Sequence, residues 1–476
     1  MICPVHAASV RHPESPALVW YGVVTTYAAL DRQVGRWVTS FKRHGVRRSH
    51  RVALLSHNHP SVVAAHFALA RLGAVAVPLN ARLTAAELGP LLQRVKPVVT
   101  LASPELRPVV SNALDLHTPP PDDADPGTQL HPDDIQAILF TSGTTGTPKG
   151  AMLPLSAFIA SAEASGQRLG SQPTQRWLGT LPLFHVGGLA MMWRCAVYGA
   201  TLLLEPRFDE ARVLTALRDD GVTHLSVVPT MLHRLLDAGL NRATAPALRV
   251  VLVGGAPMPE GLRDRAQQAG LPVVQTYGLT EACSQVCTQR VGEHGQHAGP
   301  PLPGVEVRIG GPQGASLPAG TVGEILVRGP TLMRGHLDDE TTTAAALRHG
   351  WLHTGDLGFL GEDGCLRVVN RRTDLIIRGG ENVYPVEVEQ QLSRHPDILD
   401  AAVLPAPDDT WGSVPHALVV SRGTHLDERA LHAWCRQRLA AFKVPTRFVV
   451  VPALPRNALG KLDRAEAHRL LHAGGA

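Results

Sequence analysis

Between residues 51 and 101 short apolar runs alternate with segments of helical period, a pattern that few architectures accept. Positions 51 to 56 read as a strand, 60 to 72 as a helix stopped by Gly73, and 74 to 78 as a second buried strand. Thr84-Ala85-Ala86-Glu87 has the capping-box spacing that opens another helix, and 98 to 101 make a further strand. Strands that alternate with helices demand a mostly parallel sheet covered on both faces. Upstream, Tyr27, Leu30, Val34, Trp37, Val38 and Phe41 fall on one helical face, with Gly45 placed as a C-cap. Downstream the alternation resumes. A strand at 135 to 140 precedes a polar loop, a strand at 250 to 253 runs into Gly254-Gly255-Ala256, a helix begins near Pro259, and 273 to 276 lead into Tyr277-Gly278-Leu279-Thr280-Glu281.

Two stretches break the pattern. Residues 117 to 134 turn to Pro, Asp and Gly, the composition of a surface connection. From 321 to 369 short apolar runs are separated by Gly, as in an antiparallel or barrel-like piece. Past residue 371 a new unit is expected, with a helix from Pro385, strands near 401 to 404 and 417 to 420, a helix over 427 to 440 and a strand over 447 to 451. The expected architecture is α/β. A large N-terminal domain, 1–370, would consist of stacked αβ subdomains plus the β-barrel-like piece, followed by a small α+β C-terminal domain, 371–476.

Composition excludes several classes of partner. The 476 residues carry a formal net charge of only +4 and no basic block, so neither nucleic acid nor an anionic membrane is implied. No apolar run reaches the length of a membrane span, and the start Met1-Ile2-Cys3-Pro4 lacks the charged and apolar regions of a leader, which points to the cytoplasm. Six cysteines in so long a chain make no disulfide framework. Cys283 and Cys287 with His294 and His297 have poor spacing for structural zinc, and buried reduced thiols are expected instead. Oligomeric state is open, a homo-oligomer included.

Lysine is scarce: five, at 42, 96, 149, 443 and 461, against forty arginines. A site that needs a compact ammonium cannot accept a planar guanidinium, so each lysine invites scrutiny. Lys149 closes the loop Thr141-Ser142-Gly143-Thr144-Thr145-Gly146-Thr147-Pro148-Lys149-Gly150, which holds no apolar side chain. Glycines let backbone N–H groups turn toward anionic oxygens, hydroxyls add donors, and the lysine adds a point charge, a combination suited to a polyphosphate. It is not a Walker A loop, since Pro148 and Gly150 stand where that motif needs Gly and Ser or Thr.

This loop resembles the signature of the adenylate-forming superfamily of acyl-CoA synthetases, peptide-synthetase adenylation domains and luciferases. Other motifs of that superfamily follow in order: Leu181-Pro182-Leu183-Phe184-His185, Tyr277 to Glu281, Gly323-Glu324-Ile325, Thr354-Gly355-Asp356, Asn370-Arg371-Arg372-Thr373-Asp374 and Gly460-Lys461. Within it, Arg378-Gly379-Gly380-Glu381-Asn382-Val383-Tyr384-Pro385, Pro407 to Gly412 and Glu281-Ala282-Cys283-Ser284-Gln285 are most similar to the o-succinylbenzoate:CoA ligases of menaquinone synthesis.

The resemblance implies a ligase using ATP, Mg²⁺ and coenzyme A. A carboxylate is a poor electrophile, because its leaving group would be oxide; transfer to the α-phosphate of ATP turns it into an acyl adenylate, which the CoA thiol then attacks. By resemblance, Thr141, Ser142, Gly143, Thr144, Thr145 and Lys149 hold the phosphates, Thr280 contacts the α-phosphate, and Glu281 binds Mg²⁺. Gly254, Gly255 and Ala256 would form the adenine loop with Tyr277 stacking opposite, and Asp356 and Arg371 would hold the ribose. His185, Arg194, Gly254, Gly278 and Ser284 would line the acyl site, Arg194 meeting the distal carboxylate of a dicarboxylic substrate. Lys461 would bridge substrate carboxylate and α-phosphate, carried by a C-terminal domain that moves between half-reactions and brings Gly379 and Gly380 to the pantetheine. Thr373 stands at the family's hinge, where many members carry a charge, and Lys443 lies in a further family segment. Three rivals stay open: another aryl- or acyl-CoA ligase, a phosphotransferase or ATPase releasing ADP, and a non-catalytic adenylate binder.

Overall fold

The computed structural model describes residues 1–473 except 84, 111, 119–124, 126, 142–147, 257, 312–314, 372–375, 379–380, 384, 409–410, 424–425, 440 and 458–459. The chain forms two compact units, Met1–Val307 with Val327–His353, and Arg308–Leu326 with Thr354–Ala476.

The first unit holds two sheets. One has the strand order Gly335–His336, Lys149–Pro154, Ile135–Thr141, Val75–Leu79, Arg51–Leu55, Val99–Ala102, Leu114–Asp115. The other runs Ser284–Thr288, Val273–Leu279, Val250–Val253, His224–Val227, Arg176–Gly179, Thr201–Leu204, Pro16–Trp20, Val23–Thr26. Their central pairs are parallel, and antiparallel strands stand at the margins. Strands Val75–Leu79 and Val250–Val253 are buried at every position, which is why they appear in the sequence as unbroken apolar runs.

Helices of both sheets meet in one buried layer. Helix Tyr27–Arg43 turns Tyr27, Leu30, Val34, Trp37, Val38 and Phe41 inward as its spacing predicts, capped by His44, with Gly45 next in the left-handed region. Helix Pro60–Leu72 ends on Gly73 at φ 63° and is buried over most of its length, as is helix Val186–Tyr198. Trp193 of the second helix packs its ring on Phe67 of the first and donates from Nε1 to His66 Nε2 at 3.2 Å.

His66 is fully buried, and burial pushes its pKa down to about 3. His224, buried on the second sheet, is pushed down to about 4. His59, which accepts from Ser61 N to cap its helix and stacks on His117 at 3.7 Å, is pushed to about 4 by burial and by the His117 charge. All three are held neutral by the fold, so stability is complete above about pH 6.5, the unfolded value, and falls as acid protonates the unfolded chain first. His66 alone should remove about 2 kcal/mol between pH 7 and pH 5. Urea unfolding at the two pH values checks this, and His66→Gln should flatten the dependence by that amount.

Residues 306–371 supply a sheet in which Glu306–Gly310, Gly323–Arg328, Trp351–Leu360 and Leu347–Arg348 lie in that order, with Leu366–Arg371 also on Trp351–Leu360. A helix not foreseen, Glu340–Ala346, interrupts this stretch, capped by the Asp339 carboxylate accepting from Thr342 N at 2.9 Å.

In the second unit the long hairpin Ile398–Asp408 and Gly412–Ser421 pairs with Ile376–Arg378 and, in parallel, with Arg447–Val450. Alternate residues serve opposite faces. Ala401, Val403, Ala417 and Val419 pack with helices Pro385–Ser393 and Glu428–Arg436, while Ala402, Leu404, Leu418 and Val420 pack with helix Arg464–Ala473. Among the described residues no helix is long and apolar enough to cross a membrane. All six cysteines are free and buried.

Candidate active site

Parallel strands deliver their C-terminal ends to one rim of the sheet, the usual place for a ligand crevice in such folds. His224–Val227, Val250–Val253 and Val273–Leu279 are in register there, so Val228, Gly254 and Thr276 emerge abreast. A Cβ on Gly254 would stand 2.7 Å from Thr276 Cγ2, and Gly255 has φ 82°. Gly254 is therefore a necessity of close packing and Gly255 of its left-handed backbone, and Gly255 and Ala256 remain exposed while Tyr277 is half-buried.

Strand Val273–Leu279 turns back antiparallel onto Ser284–Thr288 with a bulge after Tyr277. A side chain at Gly278 would collide with Ser284 O at 1.7 Å, and Cys283 and Ser284 take positive φ to close the turn. Thr280 and Glu281 are thereby presented on a single helical turn at the hairpin tip. The Glu281 carbonyl accepts from Met333 N at 2.8 Å, and its carboxylate Oε1 lies 4.0 Å from His336 Nε2.

The loop read as a phosphate cradle joins two antiparallel strands, with Thr141 and Lys149 as partners across the pair. Both ends of the expected loop thus belong to strands, and Thr141 Oγ1 donates to Lys149 O at 3.4 Å. Ser142, Gly143, Thr144 and Thr145 lie outside the described residues. Arg94 donates from Nη1 to Pro148 O at 2.9 Å and from Nη2 to Leu337 O, tying the loop's stem to the strand that carries His336.

His185 is the N-cap residue of helix Val186–Tyr198, edge-on to Phe184 at 4.6 Å. The turn before it is held by buried Asn58, whose Nδ2 donates to Leu181 O and Glu205 O while Oδ1 accepts from Leu183 N at 2.8 Å. Two turns along the helix lies Arg194, 1% exposed. Among the described residues no carboxylate pairs with it, and its Nε has no hydrogen-bond partner. Its guanidinium sits 5.7 Å from the ring centre of Trp177, which stacks on His224 at 4.5 Å. Burial works against the Arg194 charge; nearby Cys195 and Cys283, both with thiols pushed upward by burial, are no nucleophiles.

Sequence reasoning missed four residues here. Asn58 and Arg94 act through backbone groups, His336 through proximity, and Ser226, buried two residues beyond His224 with a hydroxyl unpartnered among the described residues, shares the sheet face that Arg194 overlies. None has a local signal; only the alternation along His224–Val227 could have placed Ser226 beside Trp177.

The second unit positions two more of the expected residues. Asp356, 6% exposed on strand Trp351–Leu360, is the cross-strand partner of Arg371. Thr354 Oγ1 donates to Ile325 O at 2.8 Å and Gly355 N donates to Glu324 Oε1 at 3.1 Å, so two separate sequence motifs lock together around the aspartate. Lys461 is exposed on a tight turn in which Asn457 N donates to Lys461 O and Gly460 adopts φ 74°. Gly379 and Gly380 lie outside the described residues, as does Thr373.

Comparison with known proteins identifies the family. The model of the AMP-binding enzyme family matches residues 5–337, and that of the AMP-binding enzyme C-terminal domain matches 387–461. The 2-succinylbenzoate--CoA ligase of Bacillus cereus (strain Q1) is 39% identical over 458 residues, covering 94% of both chains. Among solved structures, o-succinylbenzoate CoA synthetase from Bacillus subtilis with the acyl-adenylate intermediate OSB-AMP is 34% identical at TM-score 0.91, covering 98% of each chain. The same synthetase with ATP and magnesium ion is 35% identical at TM-score 0.91, over 98% of this chain and 99% of that one. With its family models spanning most of its length, the chain belongs to the AMP-binding enzyme family.

Proposed function

We propose that the protein is an ATP-dependent acid:CoA ligase that converts o-succinylbenzoate to o-succinylbenzoyl-CoA, releasing AMP and pyrophosphate. The observation that carries the choice of acid is Arg194, a buried cation with no acidic partner among the described residues. An uncompensated interior charge is costly, and a dicarboxylic substrate supplies the missing anion with the carboxylate that is not activated. The buried Ser226 hydroxyl and the apolar Trp177 ring near Arg194 offer the few polar groups and apolar surface that suit a benzoate ring. The names of the relatives support the same acid.

The succinyl carboxylate attacks the α-phosphorus, pyrophosphate leaves, and the CoA sulfur then displaces AMP from the acyl carbon. Thr141, Lys149 and the described end of their loop are assigned to the phosphates, Gly254 to Ala256 and Tyr277 to adenine, Asp356 and Arg371 to ribose. Thr280 is assigned to the α-phosphate, and His185, Gly278 and Ser284 to the acyl group. Lys461, delivered by the C-terminal portion from residue 371, offsets charge that builds between carboxylate and phosphate. The corner at Glu281 suits Mg²⁺: one carboxylate next to Thr280, and a buried imidazole whose two nitrogens lack partners among the described residues. When bound there, the ion neutralises phosphate charge. The free, buried cysteines accord with a cytoplasmic enzyme.

Incubation with ATP, Mg²⁺, CoA and a panel of aromatic, dicarboxylic and fatty acids tests this reading. The expected result is AMP, pyrophosphate and the o-succinylbenzoyl thioester. Release of ADP, or a preferred acid without a second carboxylate, would overturn it.

A further inference from the structure

His336 is 5% exposed, and neither ring nitrogen has a hydrogen-bond partner among the described residues. A buried imidazole in that condition is unfavourable unless a partner arrives. Its surroundings leave little freedom to escape. His336 N donates to Thr343 Oγ1 at 2.8 Å, and Gly335 and His336 pair with Met152 and Ala151. Leu337 N donates to Gly150 O, Arg334 N to Met152 O, and Met333 N to the carbonyl of Glu281 itself. A Cβ on Gly335 would lie 2.8 Å from Thr343 Cγ2, so the strand cannot shift toward its neighbour. Every tie along 333–337 thus holds the ring beside one carboxylate, with Nε2 4.0 Å from Glu281 Oε1. Closing that gap to a direct hydrogen bond takes a swing of about 1 Å, and a single water would also span it.

We propose that His336 is a positioning residue of the divalent-cation site, its Nε2–H donating to the Glu281 carboxylate and fixing which oxygen faces the ion. This rests on the reading of Glu281 as the cation ligand. Groups that orient a ligating side chain from behind are worth 10- to 100-fold in metal affinity. The strand carrying His336 also borders the stem of the phosphate loop, through Leu337 N to Gly150 O and through the Arg94 clamp. Cation and triphosphate are therefore aligned from one piece of backbone.

The test is Mn²⁺ titration of the full-length protein with α,β-methylene-ATP, followed by loss of the electron paramagnetic resonance signal of the free aqua ion. His336→Phe is expected to weaken Mn²⁺ binding about 10- to 100-fold. His336→Gln, whose amide nitrogen falls near the Nε2 position, should recover affinity to within about threefold, whereas His336→Asn, which mimics Nδ1, should not. Affinity for the analogue without metal should be unchanged in all three. Native Mn²⁺ affinity in His336→Phe, alongside its loss in Glu281→Gln, overturns the role of His336 alone. Native affinity in Glu281→Gln overturns the assignment of Glu281 and this proposal with it. Should His336→Phe fail to fold, equal affinities of the Gln and Asn variants overturn the proposal.

Discussion

Arg194→Met should make the unliganded protein more stable while damaging its use of the acid substrate. Removing an interior charge that no carboxylate among the described residues balances eliminates a desolvation penalty, and a methionine of similar length keeps the contacts with Trp177 and the helix. Replacing buried ionic groups by well-packed apolar ones has stabilised proteins by about 1–4 kcal/mol, so a rise in melting temperature of a few degrees is expected. Loss of the charge partner for the second carboxylate should cost about 2–5 kcal/mol of binding, or roughly 30- to 4000-fold in kcat/KM for o-succinylbenzoate. The KM for ATP should move little. A melting temperature that falls, with equal effects on ATP and acid, would instead mean that the guanidinium serves the core.

Lys461→Ala should separate the two half-reactions. In the adenylation step negative charge gathers between the attacking carboxylate and the α-phosphate, and deleting a preorganised cation from such a place typically lowers the rate about 10²- to 10³-fold. Acid-dependent pyrophosphate exchange into ATP measures that step. Thiolysis of supplied acyl adenylate has no such charge to offset and should stay within about threefold of the native rate. Lys461→Arg should restore little, since a wide, planar fork does not reproduce a compact ammonium. Equal loss in both assays would remove Lys461 from the adenylation step.

How much was legible in the sequence follows from where the physical signal lies. Parallel strands buried on both faces must be apolar at consecutive positions, so the runs at 51–56, 74–78 and 250–253 stood out without any tertiary information, and the structure shifts their ends by one residue at most. The strand Ile398–Asp408 was foreseen only around 401–404; the hairpin carries it on through Pro405 and Pro407, residues that ordinarily interrupt a ladder. Helix Glu340–Ala346 escaped because its threonines and alanines have no apolar period; the Asp339 cap was its one cue. In the proposed site, residues defined by chemistry within a motif, such as Lys149, Glu281 and Asp356, could be nominated from the sequence. Asn58, Arg94, Ser226 and His336 were not, since each matters for what the fold brings beside it.

Asn58 also bears on the cost of turnover. By holding Leu181, Leu183 and Glu205 at once, one buried amide freezes the turn that leads into His185. The conformational entropy of ordering that turn is surrendered when the chain folds, and not again each time a substrate enters. On the proposed placement of the acyl group beside His185, binding free energy that would otherwise be consumed in shaping its site remains available for bringing carboxylate and phosphorus to reacting distance.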